Sequence, residues 1–334
     1  YVVPNAVGVD IGCGMCAVKT NIDLSLLSTE DIKKIMSKIR ERIPVGFEHN
    51  KIPVEDKDMP GEFKPINLKI ISEQWESAKR QIGSLGGGNH FIELQKDENN
   101  ILWIMIHSGS RNLGKTVADY YDKVAKQLNK KWFSEVKEEM NLAFLPIDSK
   151  EGKDYINEMT YCIEFALENR KLMLKRILDS IAEVCIENNL GISYYPDDMI
   201  NISHNYCRYE NHFNTNVIVH RKGATSAKNL EVGIIPGSQG TCSYIVQGLG
   251  NEDSFKSCSH GAGRKMSRNE ARRTLNLQGE IDSLNSKGII HAIRNVDDLD
   301  EAPSSYKDID VVMDNQKDLV NILVKLTPVG VIKG

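Results

Sequence analysis

Short apolar runs recur along this chain, and several begin or end on a histidine, cysteine or aspartate set beside glycine. Val7-Gly8-Val9 leads into Asp10-Ile11-Gly12-Cys13-Gly14, and Phe91-Ile92-Glu93-Leu94 follows Gly86-Gly87-Gly88-Asn89-His90. Ile101-Leu102-Trp103-Ile104-Met105-Ile106 ends at His107. Such runs read as strands, and glycine lets backbone or ligand come close because it lacks a Cβ. A strand ending at Asp10 would turn its carboxylate and the Cys13 thiol into one cavity. Pairing of the two runs joined by the turn-forming Lys96–Asn100 would bring His90 and His107 together.

The other signals alternate between helix and strand. Ser28 and Asp31 have capping-box spacing ahead of Ile32, Ile35, Met36, Ile39 and Ile43, which predicts an amphipathic helix stopped by Pro44. Residues 44–65, punctuated by Pro44, Gly46, Pro53, Pro60, Gly61 and Pro65, predict a long loop, either a lid or a decoration. A short helix is expected near 70–80. Residues 115–141 and 153–189 predict two charged amphipathic helices, an inserted hairpin over about 115–190 that projects from one side with a solvated charged face. Val217–Val219, Val232–Ile235 and Tyr244–Val246 predict strands leading to a loop at His260, and Ile309–Val312 and Leu323–Val331 further strands with a short helix. The expectation is one α+β catalytic domain over residues 1–334, mixed β-sheets flanked by helices. Because the chain opens at Tyr1 straight into a strand-like run, upstream sequence is expected to be missing.

At 334 residues, 40% hydrophobic and 26% charged, the chain can bury a sizeable core. A net charge of −4 argues against charge-driven nucleic-acid binding over the whole surface. It leaves room for a local basic site at Arg264, Lys265, Arg268, Arg272 and Arg273. No apolar run approaches membrane-spanning length. Seven scattered cysteines, an odd number, fit a reducing cytoplasm with at least one thiol kept for chemistry.

Five residues are candidate metal ligands: Asp10, Cys13, His90, His107 and His204. Aspartate offers a hard oxygen and cysteine a soft sulfur, a pair suited to transition metals. One structural zinc needs four ligands; five, with a bridging thiolate, fit two ions that clamp a phosphoryl group. His49, His212, His220 and His291 lack polar, glycine-flanked surroundings and read as structural. In Cys258–Arg268, His260 stands before two glycines, with Arg264 and Arg268 four and eight residues on. A helix from Gly263 would place both guanidinium groups on the histidine's side, ready for bidentate phosphate capture. The bland reading is a glycine turn with a buried histidine and solvated arginines. Gly109–Thr116 also matches the Walker A pattern, so a P-loop nucleotide hydrolase is the alternative, with Ser110 and Arg111 expected to meet an anion. That alternative lacks a well-placed strand aspartate, Asp310 and Asp314 being poor candidates, and leaves the histidines unexplained. A non-ligating metal- or RNA-binding protein is the third reading.

Seven ordered stretches resemble the RtcB-type RNA ligases, which use GTP and manganese in tRNA splicing and RNA repair. They are Val7–Met15, Gly86–Phe91, His107–Arg111, His204-Asn205, Arg221–Thr225, Pro236-Gly237-Ser238 and His260–Arg264, with Val331–Gly334 similar to the family's ending. The resemblance implies an RtcB-type fold. It implies that Asp10, Cys13, His90, His107 and His204 hold two Mn²⁺ ions, with Cys13 bridging, and that His260 takes GMP from GTP. Asn89, Arg111, Arg264 and Arg268 would hold phosphates. Glu93, Ser238, Tyr306 and Lys333 would contact the guanine nucleotide, bordered by Pro236, Gly237, Gly261, Ala262 and Gly263. The implied reaction opens a 2′,3′-cyclic phosphate to a 3′-phosphate, guanylates it and joins it to a 5′-hydroxyl. The implied partners are GTP, tRNA halves or damaged RNA ends, and an activating protein. The family's upstream Asp-x-His-x-Gly motif is absent from this sequence, Gln239 replaces a usual methionine, and Ser226 stands where a larger or basic residue is common.

Overall fold

A computed structural model describes residues 1–62, 64–194 and 196–334. The strands are β1 (Gly14–Asp23), β2 (Phe91–Lys96), β3 (Ile101–Ser108), β4 (Ile200–Ser203), β5 (Asn205–His212), β6 (Thr215–Lys222), β7 (Ala224–Ser226), β8 (Val232–Ile235), β9 (Ser243–Gly248), β10 (Ser257–Ser259) and β11 (Val320–Lys333). The helices are α1 (Pro4–Val7), α2 (Thr29–Arg42), α3 (Lys69–Gln81), α4 (Arg111–Lys131), α5 (Lys150–Glu187), α6 (Arg268–Thr274), α7 (Leu277–Ser286) and α8 (Ile309–Asp314). The fold is α+β, as expected. Seven strands form an antiparallel sheet in the order β4-β1-β3-β2-β11-β9-β8. Its edge strands β4 and β8 touch, so the sheet curls back on itself. The remaining strands pair as β5–β6 and β7–β10.

Alternation along the strands divides the sheet into two faces. Cys16, Val18, Ile92, Leu94, Leu102, Ile104 and Ile106 pack outward against α2 and the second half of α5. Their neighbours Met15, Ala17, Phe91, Trp103 and Met105 turn inward to meet Ile234, Ile245 and Leu326. Register decides what joins this inner face. His107 lies opposite both Met15 and Phe91, and Lys333 lies opposite Phe91. Gly14 pairs with Ser108 on one side and Ser203 on the other. One edge of the sheet therefore gathers the start of β1 and β2 with the end of β3, β4 and β11.

The capping box at Ser28 forms in both directions, and α2 buries Ile32, Ile35, Met36 and Ile39 before Pro44 ends it. Of the expected loop over 44–65, the described residues are pinned where Gly46 N–H donates to Leu85 O at 3.0 Å and Asn50 Nδ2 donates to Ile82 O at 2.7 Å. Three expectations are corrected. Val7–Val9 is no strand: Pro4 at the first helical position starts α1, and Gly8 at φ +99° ends it. Ile309–Val312 belongs to α8, whose Ile309 and Met313 are buried one helical turn apart. The helical hairpin does not project. Helix α4 stops at Lys131, ten residues early, and α5 buries side chains in two core clusters, Tyr155 and Phe165 in one, Ile177 and Ile181 in the other. Among the described residues no helix is long and apolar enough to cross a membrane.

Candidate active site

The turn from Asp10 to Cys13 enters β1 and is fastened from three sides. Cys13 N–H donates to Asp10 O at 3.1 Å, Gly12 N–H to Asn205 O at 2.8 Å, and His204 N–H to Cys13 O at 2.8 Å. From α5, Arg170 Nη1 donates to Gly12 O at 3.0 Å and Ser108 O at 2.8 Å, while Asn169 Nδ2 donates to Gly109 O at 3.1 Å. Both α5 side chains are fully buried. Sequence reading missed them, because an arginine and an asparagine in a charge-rich helix look like solvated residues.

This scaffold converges the five candidate ligands. Cys13 Sγ lies 3.3 Å from both His90 Nε2 and His107 Nε2. His90 Nε2 is 3.0 Å from Asp10 Oδ2, and His107 Nε2 is 3.3 Å from His204 Nε2. His107 Nδ1–H donates to the Asn89 carbonyl at 3.0 Å, which leaves the Nε2 lone pair facing the cluster. Burial pushes the Cys13 thiol far up, with the Asp10 carboxylate adding to the shift. Burial and the neighbouring imidazoles push His107 and His204 well below the usual histidine range. Asp10 is held low by His90, Cys13 and the Ser110 amide, against the opposing and largest effect of burial.

His260 follows β10 and continues the row of imidazoles. Ring centroids stand 5.2 Å apart from His90 to His107, 5.1 Å from His107 to His204, and 4.9 Å from His204 to His260. Burial lowers the His260 pKa, and an interaction with the Gly223 backbone only partly offsets it. The expected helix from Gly263 does not form: Gly263 takes φ +72° and α6 begins at Arg268, capped by Ser267. Arg264 instead pairs through its backbone with Tyr306. Arg264 and Arg268 meet through a shared carboxylate, Glu301. The cleft beside His260 is lined by Asn89, Glu93, the 236–239 turn, the 261–264 loop, Arg268, Tyr306 and Lys333, with Phe91 and Glu301. Burial pushes Glu93 up to about 8, against a hydrogen bond from Gln95 and the nearby Lys333. Glu301 gave no sequence signal, since its acidic run reads as a solvated face.

Arg111 stands apart from this lining. Its Nε donates to Ser84 Oγ at 3.0 Å and its Nη2 to Gly46 O at 2.5 Å. The Ser110 N–H donates to the chain's own Asp10 carboxylate at 3.2 Å. The Walker-like stretch forms no phosphate loop, because α4 begins at Arg111 and already contains Gly114, Lys115 and Thr116. Lys115 is exposed and pairs with Asp119, and β3 has only antiparallel neighbours. Of the other histidines, His212 pairs with buried Glu210, and His220 accepts the Val3 N–H.

A family model described as tRNA-splicing ligase RtcB matches residues 1–65 and 54–334. RNA-splicing ligase RtcB of Escherichia coli K12 is 34% identical, the alignment covering 100% of this chain and 84% of that protein. tRNA-splicing ligase RtcB of Methanococcus maripaludis is 30% identical over 99% of this chain and 82% of its own length. That of Nanoarchaeum equitans is 29% identical, with 100% and 82% covered. The match runs through both walls of the site, from the Asp10–Cys13 turn to the His260 loop, and the chain belongs to the RtcB family of tRNA-splicing ligases.

Proposed function

We propose that this chain is a cytoplasmic RNA ligase, one catalytic domain over residues 1–334. It joins RNA ends bearing a 3′-phosphate or 2′,3′-cyclic phosphate to 5′-hydroxyl ends, using GTP and manganese. Family membership supports ligation of RNA. The observation that carries the reading is the unbroken row of imidazoles from a thiol-centred cluster to a cleft edged by Arg264, Arg268 and Lys333.

The residues fit metal. Cys13, His90 and His107 present ligand atoms within 4.8 Å of one another, and all three are buried. Asp10 and His204 extend the set, and a mixed sulfur, nitrogen and oxygen donor group suits a first-row transition ion. Asp10, Cys13, His90, His107 and His204 would hold two Mn²⁺ ions, the ion implied by the resemblance. Charge developing on a phosphate is neutralised by such ions when they are bound.

The chain's own groups supply the rest. His260, kept neutral by burial and lining the cleft, attacks the α-phosphorus of GTP through a ring nitrogen. An N–P bond forms, the α–β P–O bond breaks, and pyrophosphate leaves. An RNA 3′-phosphate displaces the imidazole, and a 5′-hydroxyl then expels GMP as it loses its proton. Arg264 and Arg268 orient phosphates by bidentate hydrogen bonding, and Glu93, Ser238, Tyr306 and Lys333 border the guanine nucleotide. Incubation with α-labelled GTP and Mn²⁺ tests this: label is expected on the wild type and on Lys115→Ala, and absent from His260→Ala. Label that survives in His260→Ala defeats the mechanism, as does label lost only on changing Lys115.

A further inference from the structure

The ligase reading leaves one buried charge in the cleft without a task. Glu301 has a side chain only 3% exposed, yet three cationic side chains and a phenol surround it. Arg268 Nε lies 2.8 Å from Oε1, Arg264 Nη1 3.2 Å from the same oxygen, and Lys333 Nζ 3.9 Å from Oε2. The Tyr306 hydroxyl donates to Oε2. Gln239 Nε2, from the opposite wall, donates to the Glu301 carbonyl at 2.8 Å and fixes the backbone beneath it. Burial alone would raise its pKa, but Lys333, Tyr306 and Arg268 hold it below the usual carboxylate range, so the group is charged.

The carboxylate leaves donors unused. Arg264 Nη1 stands at ion-pair distance but off the line of a hydrogen bond, and both its terminal nitrogens are buried without a hydrogen-bond partner. Buried guanidinium donors without partners are costly and mark a place for a further anion. Arg268 points its Nη2 at Gly88, where a Cβ would come within 2.9 Å, so the turn carrying Asn89 and His90 closes over that guanidinium. Two guanidinium groups are thus anchored by one carboxylate in the cleft that His260 also lines.

We infer that Glu301 is a positioning residue, the cleft's resident anion. It spreads Arg264 and Arg268 for a phosphate and, by like-charge repulsion, keeps the cleft from holding polyphosphate too tightly. The inference rests on the ligase reading only for the identity of the anion, which is pyrophosphate, the leaving group of His260 guanylation. A resident charge that repels the leaving group speeds its departure, and the same charge orients the arginines for attack.

Inorganic pyrophosphate binding to the manganese-loaded protein tests this by calorimetry and thermal melting. Glu301→Gln is expected to bind pyrophosphate about tenfold more tightly than wild type. It should melt lower than wild type without ligand and gain more from saturating pyrophosphate, because the anion refills the vacated charge. Its kcat for His260 labelling falls while its KM for GTP does not rise. Glu301→Asp, which withdraws the carboxylate by one methylene, is expected to lie between the two and decides the matter if Glu301→Gln does not fold. Pyrophosphate affinity unchanged or weaker in the folded variants overturns the inference and makes Glu301 a structural residue. A wild type that never labels with GTP sinks the ligase reading instead, and the pyrophosphate comparison stands apart from it.

Discussion

At the scale of single residues, the site depends on places where no side chain fits. A Cβ at Gly109 would overlap both carboxylate oxygens of Asp10. Gly109→Ala is therefore expected to displace Asp10 and weaken metal binding by about 10–100-fold, with the fold retained; metal per chain after dialysis reads this, and full retention refutes it. At Gly223, φ +65° strains any side chain, and a would-be Cβ would press on the His260 ring at 3.0 Å. Both glycines lie in stretches that carry the family resemblance, His107–Arg111 and Arg221–Thr225, and neither was singled out in the sequence. Asn169, Arg170 and Glu301 gave no signal there, because local sequence carries no sign that a charged side chain in a charged run is buried.

At the scale of elements, two buried ion systems hold the site's frame. Arg170 of α5 reaches Gly12 O, Ser108 O and Asn201 Oδ1, tying β1, β3 and β4 together. Arg170→Met leaves those acceptors unpaired and is expected to cost about 3 kcal/mol or more in urea unfolding. In the β5–β6 hairpin, Glu210 accepts from Arg221 Nη1 at 2.6 Å, and Arg221 Nε donates to Ser257 Oγ at 2.9 Å, linking the hairpin to the strand before His260. Burial would raise Glu210, but Arg221, Arg208 and His212 overcome it and depress its pKa strongly. A depressed carboxylate stabilises the fold above its unfolded pKa, and this contribution fades as pH falls below about 4.3. Glu210→Gln is expected to cost about 3–5 kcal/mol at neutral pH and to flatten the acid limb of the stability curve. An unchanged acid limb would assign that pH dependence to other groups.

At the scale of the molecule, the site exists because one edge of a curled antiparallel sheet collects strand ends from positions 13 to 333 of the chain. Metal binding at this candidate cluster would then be coupled to the whole fold, since the unfolded chain has no such cluster. Chelated protein is expected to melt lower than metal-loaded protein. The difference amounts to about 2.7 kcal/mol when free metal is a hundredfold above its Kd, and His90→Ala should shrink it; equal melting of both forms would separate the cluster from metal.

The sequence by itself determined the local pieces: the capping box of α2, the strand pairs flanking His90 and His107, and the glycine-flanked candidate ligands, because each is written within a few neighbouring residues. Tertiary structure decided the rest. Burial turned a charge-rich helix into the core element α5, overruled the helix expected after Gly263, absorbed the Walker-like stretch into α4, and gave Glu301 its cationic shell. Those outcomes depend on which surfaces meet, and desolvation and register act only once the chain has closed on itself.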